Sequence, residues 1–219
     1  MGTPLICTKD SRIIAEKNGK YNLDLLSAHW YSGFYKRKEV IAVHRKGKLL
    51  VYLALLTSLC TVATMAIPIP TPTGGYLNAG DIVVVLTALL AGPLYGGIVS
   101  SLGSAAADLF AGYVIYAPGT LLAKGLAAMV TGLVFRLFRK KTIIATTGSA
   151  ICGELLMAAV YFVYEALALG FGLGAAVEIP GNLLQGAAGV AGGALIYHAL
   201  IRIPEIREFA ALAQPKRKP

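Results

Sequence analysis

Long apolar runs separated by short polar breaks make up most of the sequence between residues 49 and 201. The runs cover residues 49–67, 78–91, 94–111, 120–138, 142–166 and 178–201. A helix needs about 20 apolar residues to cross the hydrocarbon core of a bilayer, and five of the runs approach this length. The second run has only 14 residues. The pattern therefore predicts an all-α integral membrane protein, a bundle of six transmembrane helices in which the second is short.

The breaks between the runs carry residues that end helices. Residues 68–72 contain three prolines, each of which lacks an amide donor and restricts the residue before it. Gly92 and Pro93 separate the second run from the third. We expect external loops at residues 68–75, 112–119 and 170–178.

Composition and charge support this topology. The chain is 56% hydrophobic and only 14% charged, whereas a soluble domain has about 25% charged residues. Ten of its 20 Lys and Arg residues precede residue 49, four lie at 136–141 and five follow residue 201. Basic flanks stay in the cytoplasm, so both termini and the 136–141 loop are predicted to be cytoplasmic. The net charge of +9 therefore indicates membrane orientation and not a nucleic-acid partner.

Three regions follow from this division. Residues 1–48 are a basic cytoplasmic segment, predicted to be disordered or, alternatively, to lie as an amphipathic helix on anionic lipid. A start codon assigned too far upstream is a third explanation. Residues 49–201 form the six-helix membrane domain, and residues 202–219 form a basic cytoplasmic tail.

Polar side chains inside the apolar runs are the candidate functional residues. An ionisable group in a membrane span costs about 2.5–3.5 kcal/mol and usually faces a bundle interior or a wet cavity. The predicted topology places these side chains near the outer end of the bundle. The candidate substrate-binding residues are Asn78, Asp108, Tyr116, Lys124, Glu165, Asn182 and Gln185.

The chemistry of these residues suits a small heterocycle. Asn and Gln offer paired donors and acceptors, and tyrosines offer flat faces with a polar tip. Lys124 and Asp108 either form an ion pair inside the membrane or receive ligand charge. The alternative for every one of these residues is hydrogen bonding between helices. Glu154 lies nearer the middle of its span and is expected to matter less for binding.

Several other functions find no support in the sequence. It contains no GxxxxGK[ST] loop for ATP phosphates, and no HExxH or GxSxG motif. The cysteines and histidines are scattered, so we expect no disulfide, no metal site and no cofactor. The protein is thus predicted not to be an enzyme. Ala54 and Ser58 form a small-xxx-small pair that would allow another helix to approach closely.

Four motifs carry a resemblance to a known family. They are LNAGD at residues 77–81, GPLYGG at 92–97, GSAAADLFAGY at 103–113 and YAPGTLLAKG at 116–125. Residues from about 48 to 201 resemble the S components of energy-coupling factor (ECF) transporters, in the group for riboflavin, hydroxymethylpyrimidine or pyridoxine-like substrates. The long basic N-terminal segment is not typical of that family.

The resemblance implies a specific function. It implies six helices in a prokaryotic plasma membrane, an outward-facing vitamin site, and partners comprising one transmembrane coupling subunit and two ATPases. The subunit would capture its ligand and then tilt as the partners hydrolyse ATP. Ala54 and Ser58 would fall on the face for the coupling subunit. A stand-alone carrier coupled to ions through Asp108 and Glu165 is the alternative, and a structural membrane protein without a ligand is a third.

Overall fold

A computed structural model describes residues 23–138 and 140–214, with side chains described from residue 45 onward. These residues are predominantly helical, which confirms the all-α prediction. In chain order the elements are α1 (Leu23–Ala66), β1 (Ile69–Pro70), β2 (Tyr76–Leu77), α2 (Gly80–Ala111), α3 (Ala117–Leu137), α4 (Ile143–Val163), a π-helical turn (Tyr164–Ala168), a 3-10 helix (Gly172–Glu178), α5 (Ile179–Leu200) and α6 (Pro204–Ala213).

The chain divides into two compact units, Met1–Gly47 and Lys48–Pro219. The first unit is described from Leu23, where α1 begins, and the earlier part of the predicted N-terminal segment lies outside the described residues. The prediction of a disordered or interfacial segment at 1–48 stays a prediction. The second unit contains the helices that are long and apolar enough to cross a membrane, except that the first of these spans begins at Arg45 in the first unit.

Among the described residues, five helices meet that criterion by length and composition. One of them, α2, has 32 residues and would be about 48 Å long if straight, well beyond the thickness of a hydrocarbon core. It breaks at Gly92, whose φ of 78° and ψ of −175° are not helical.

The chain reverses direction at this break. The hydroxyl oxygens of Thr87 and Ser100 are 2.8 Å apart, although 13 residues of straight helix would separate them by about 20 Å. Helix α2 is therefore an antiparallel hairpin with arms at residues 80–91 and 93–111. Counting both arms gives six membrane segments with a short second one, as the hydropathy pattern predicted.

Small residues permit the close packing of this hairpin. A positive φ at Gly92 is a conformation that other residues rarely adopt, and Pro93 has no amide hydrogen to lose. A Cβ atom on Gly132 of α3 would lie 2.5 Å from the backbone nitrogen of Pro93, and one on Gly96 would lie 2.8 Å from Cα of Ala88. The backbones of α2 and α3 consequently touch where larger side chains would separate them.

The end of the bundle at the hairpin turn is closed by α6, which the sequence analysis did not predict. Phe209 and Ala213 are buried in the main apolar core, and the Phe209 ring lies 4.9 Å from that of Tyr52. The side-chain amide of Gln214 donates to the carbonyl oxygens of Leu89 and Leu90, at 2.9 Å each. The last carbonyls of the short arm, which lack helical partners, are satisfied in this way.

Helix α1 is the most exposed of the candidate spans. Only 11% of its apolar window at Arg45–Ala66 is buried, against 78% for Gly80–Ala111. Ala54 and Ser58 both lie on the exposed side, and the Ser58 hydroxyl donates to the Ala54 carbonyl at 3.1 Å. The proposed role of this pair as a partner interface stays a prediction.

Candidate functional site

A polar cavity of about 390 Å³, counting the space at its mouth, lies at the opposite end of the bundle from α6. Its lining comes from the segment before α2, from helices α2 to α5 and from the π-helical and 3-10 turns. The lining residues are Thr71, Gly75, Tyr76, Leu77, Asn78, Asp108, Tyr116, Thr120, Tyr161, Glu165, Glu178, Asn182 and Gln185. Six of the seven candidate residues are in this set, and Lys124 is not.

Residues 67–79, which we call the strap, cross over the cavity. Its two short strands pair antiparallel. Hydrogen bonds join the strap to the residues that surround the cavity. The Tyr76 hydroxyl donates to Asp108 Oδ1 at 2.6 Å. Glu178 Oε1 accepts from the Thr73 amide at 3.0 Å and from its hydroxyl at 2.7 Å. The Tyr116 hydroxyl donates to the Thr73 carbonyl oxygen at 2.8 Å.

The two strap-holding tyrosines lie outside the membrane-spanning segments, and their hydroxyls are protonated donors at neutral pH. Burial raises the pKa of Tyr76 far above its usual range, and its hydrogen bond to Asp108 raises that pKa further. Burial likewise raises the pKa of Tyr116. Tyr76 also lies against Tyr113, with ring centroids 4.3 Å apart, so the cavity has aromatic surface beside its carboxylates.

Lys124 is buried beside the cavity in an ion pair with Asp81, not with Asp108. Lys124 Nζ lies 2.5 Å from Asp81 Oδ1, and both side chains are only 1% exposed. Asp108 is instead bonded to Tyr76, so the structure does not contain the Lys124–Asp108 ion pair, which was one of the two alternatives for these residues. Asp81 reaches this position because a glycine of α5 faces it: a Cβ on Gly189 would lie 2.7 Å from the Asp81 Cβ.

Gln185 connects this ion pair to the strap. Its amide nitrogen donates to Asp81 Oδ2 at 2.7 Å, and its amide oxygen accepts from the backbone N–H of Asn78, also at 2.7 Å. The Asn78 side chain in turn accepts from the Gly80 amide at the start of α2. Although Gln185 lines the cavity, its side chain is therefore largely occupied by internal contacts.

Three other polar groups in the lining remain available to a ligand. Asp108 Oδ2 and Glu165 Oε2 are buried and have no hydrogen-bond partner among the described residues. The side-chain amide of Asn182 also forms no hydrogen bond within the described part of the chain, and the residue is 8% exposed. A buried polar atom without a partner is destabilising, so a ligand that satisfies these atoms gains affinity.

Seven lining residues were not among the predicted site residues: Thr71, Gly75, Tyr76, Leu77, Thr120, Tyr161 and Glu178. The Tyr161 hydroxyl donates to Thr120 Oγ1 at 2.9 Å, and this pair forms part of the cavity wall. Tyr161 shares a helical stripe with Glu165, four residues later, and this spacing is the signal that would have identified it. Tyr76 carried no comparable signal, because only the folding of the strap brings it over Asp108.

Glu154 lies outside the cavity, close to the midpoint of α4. It faces a separate groove of about 420 Å³ that is otherwise apolar and is bounded by α4 and α5. Neither of its carboxylate oxygens has a partner among the described residues. Among the described side chains, those of residues 45–138 and 140–214, no three His, Cys, Asp or Glu are grouped so that they could hold a metal ion.

The spans, the hairpin and the polar cavity together define a multi-pass membrane protein with a candidate binding site at one end. Residues 45–202 match the family model described as ECF-type riboflavin transporter, S component, and the chain belongs to this family. It is a substrate-binding component of an ECF transporter. A relative from Pyrococcus woesei, named "Uncharacterized protein in gap 3'region", is 38% identical over 153 residues, which are 68% of this chain and 99% of the relative.

Proposed function

We propose that this S component captures a vitamin or vitamin precursor of the riboflavin, hydroxymethylpyrimidine or pyridoxine class from outside the cell. The observation that carries the proposal is the cavity, in which unpartnered side chains from α2, the π-helical turn and α5 face one space beneath the strap. Binding sites for small molecules place a few fixed polar groups on an apolar or aromatic wall, as here. The Asn182 amide suits the edge of a heterocycle, and Tyr76, Tyr116 and Tyr161 offer aromatic surface for its ring.

Uptake in this proposal depends on partner subunits. The sequence has no phosphate-binding loop of the GxxxxGK[ST] type. As the family implies, the energy in this proposal comes from two ATPases acting through a transmembrane coupling subunit. The exposed side of α1 around Ala54 and Ser58 is the surface we assign to the coupling subunit. Its small side chains allow a partner helix to approach closely.

The cavity faces outward in this proposal, and both termini are cytoplasmic in a prokaryotic plasma membrane. Six membrane segments return the chain to the side on which it began. Basic residues cluster at the α6 end, in the 136–141 loop and in the flanks of the spans, and such clusters stay cytoplasmic.

Cysteine accessibility tests this orientation. In a variant whose native cysteines are replaced by alanine, a single cysteine at position 114 or 115 should react with a membrane-impermeant maleimide in intact cells. A cysteine at position 140 or 141 should react only after the membrane is permeabilised. The reverse pattern would contradict an outward-facing cavity.

Calorimetry and reconstitution test the function itself. The purified chain should bind at least one of riboflavin, hydroxymethylpyrimidine and pyridoxine, and should hydrolyse no ATP. Proteoliposomes holding the chain alone should accumulate no ligand, whereas the chain with its coupling subunit and ATPases should do so when ATP is supplied.

The second candidate is a stand-alone carrier, and the unpartnered carboxylate oxygens of Asp108 and Glu165 are the observation that favours it. Carboxylates of this kind inside a membrane serve as ion or proton sites in many transporters. Accumulation by the chain alone under a proton or sodium gradient would establish this candidate and contradict the ECF proposal.

A further inference from the structure

A buried acid lies away from the cavity beneath the strap, in the groove between α4 and α5. Glu154 faces this groove from near the midpoint of α4 and is only 5% exposed. Both of its carboxylate oxygens are buried without a hydrogen-bond partner, which holds for no other carboxylate among the described residues. An ionisable group inside a membrane span is costly, and it marks a functional site by default.

Glu154 has no basic partner in the described part of the bundle. Among the described side chains Lys124 is the only buried Lys or Arg, and its ammonium is already paired with Asp81 at 2.5 Å. A buried carboxylate that accepts no hydrogen bond is destabilising. The missing donor therefore has to come from a molecule that occupies the groove.

The rest of the groove is apolar and has the dimensions of a small-molecule site. Its volume, counting the space at its mouth, is about 420 Å³, and small-molecule sites have about 300–1,000 Å³. A glycine leaves room beside the acid, because a Cβ on Gly186 would lie 3.3 Å from Glu154 Oε2. The other lining residues are Ile151, Leu155, Leu183, Ala187 and Val190.

The size of the groove and the depth of Glu154 select the kind of occupant. A lipid acyl chain fills apolar space but carries no donor, and the donors of lipid headgroups lie about 15 Å from the middle of the bilayer. A neighbouring transmembrane helix would contact α4 and α5 along their length, whereas the lining on α5 extends over residues 183–190, about 10 Å of helix. A compact apolar molecule with one donor group satisfies both limits.

We propose that this groove is a second binding site, open to the membrane, for a compact apolar amine. The amine donates N–H hydrogen bonds to the Glu154 carboxylate and balances its charge, while its hydrocarbon part contacts Ile151, Leu155 and Leu183. An alcohol of the same shape offers one donor and no charge, so it binds more weakly. A carboxylate of the same shape is repelled by Glu154 and does not bind.

Three compounds that share one hydrocarbon cage test this site: 1-adamantylamine, 1-adamantanol and adamantane-1-carboxylate. We would measure binding of each radiolabelled compound to the full chain in phosphatidylcholine nanodiscs at neutral pH, and subtract the uptake by empty nanodiscs. The amine should bind at least about tenfold more tightly than the alcohol, and the carboxylate should not bind measurably. Equal binding of the three compounds, or no binding of the amine above that of empty nanodiscs, overturns the inference.

Substitutions assign the amine to the groove. Glu154→Gln keeps the shape of the side chain but removes its charge, and should weaken amine binding at least about tenfold. Ala187→Phe should fill the groove from its exposed side and abolish binding. Ala188→Phe is the matched control, because Ala188 is also exposed but does not line the groove. Thermal unfolding identifies a variant that fails to fold, and the other groove variant then decides.

A different location or occupant gives a different result. Loss of amine binding in Asp108→Asn, with Glu154→Gln unaffected, would place the amine in the cavity beneath the strap and overturn the inference. A disulfide between the exposed Cys152 residues of two copies, together with no amine binding, would also overturn it and assign the groove to a second copy. This site is separate from the cavity, so the proposed function stands whichever of these results is found.

Discussion

Replacing Lys124 with methionine should destabilise the membrane domain by about 3–5 kcal/mol, the usual result of removing one partner from a buried ion pair. Methionine has a similar length but leaves the Asp81 carboxylate without its ammonium, in a place where Asp81 is only 1% exposed. Gln185 would still donate to Asp81 Oδ2, but one neutral amide does not balance a buried charge. The measurement is thermal or denaturant-induced unfolding in detergent.

The double variant Asp81→Asn with Lys124→Met separates charge from shape. It removes both charges together, so it should recover most of the stability lost in the single variant. Lys140→Met is the control, because Lys140 is exposed and its loss should change stability little. A Lys124→Met protein that keeps its stability but no longer binds ligand would contradict this structural role. It would indicate that Lys124 contributes to ligand binding instead.

Asn182→Ala should weaken ligand binding about 5- to 150-fold, which corresponds to roughly 1–3 kcal/mol for a ligand group left unpaired. The side chain lines the cavity and makes no hydrogen bond within the described residues, so its loss removes a ligand contact and no internal one. Unfolding temperature should therefore change little. Calorimetry with the vitamin that binds the unmodified protein provides the measurement.

Gln185→Ala is the matched comparison, one helical turn away on the same face of α5. It also lines the cavity, but its amide joins Asp81 to the Asn78 backbone N–H. Its loss removes a hydrogen bond from the buried Asp81 carboxylate and one from the partly buried Asn78 N–H, so stability should fall as well as affinity. We assign Asn182 to ligand contact and Gln185 to hydrogen bonds within the protein. Equal stability losses in Asn182→Ala and Gln185→Ala would contradict this distinction.

Hydropathy and charge were sufficient to predict the membrane segments of this protein. In hydrocarbon every backbone polar group has to be satisfied within the segment, so an apolar run long enough to cross the bilayer must form a helix. The break at Gly92 and Pro93 was also evident, because the two residues together interrupt a helix. The short second segment, the polar face of α5 and six of the thirteen residues that line the cavity followed from the same patterns.

Helix α6 was missed although a signal existed. Basic residues on both sides of it gave the tail the appearance of a solvated segment. Ile206, Phe209 and Ala213 nevertheless repeat at the spacing of one helical face, and two of them are buried against the core. The pattern extends over only ten residues, too few to distinguish a docked helix from a tail by periodicity alone.

The sequence alone determined where the membrane segments and their polar side chains lie, because both depend on local composition and on the properties of the bilayer. Only the tertiary structure decided how those side chains pair. Asp81 and Asp108 are both carboxylates in apolar segments, and nothing in their sequence surroundings indicates which one receives the Lys124 ammonium. The reversal of α2 at Gly92 and the close approach of α5 at Gly189 bring Asp81 to Lys124 and leave Asp108 beneath Tyr76. Contacts between residues more than 30 positions apart thus determine which carboxylates remain available to a ligand.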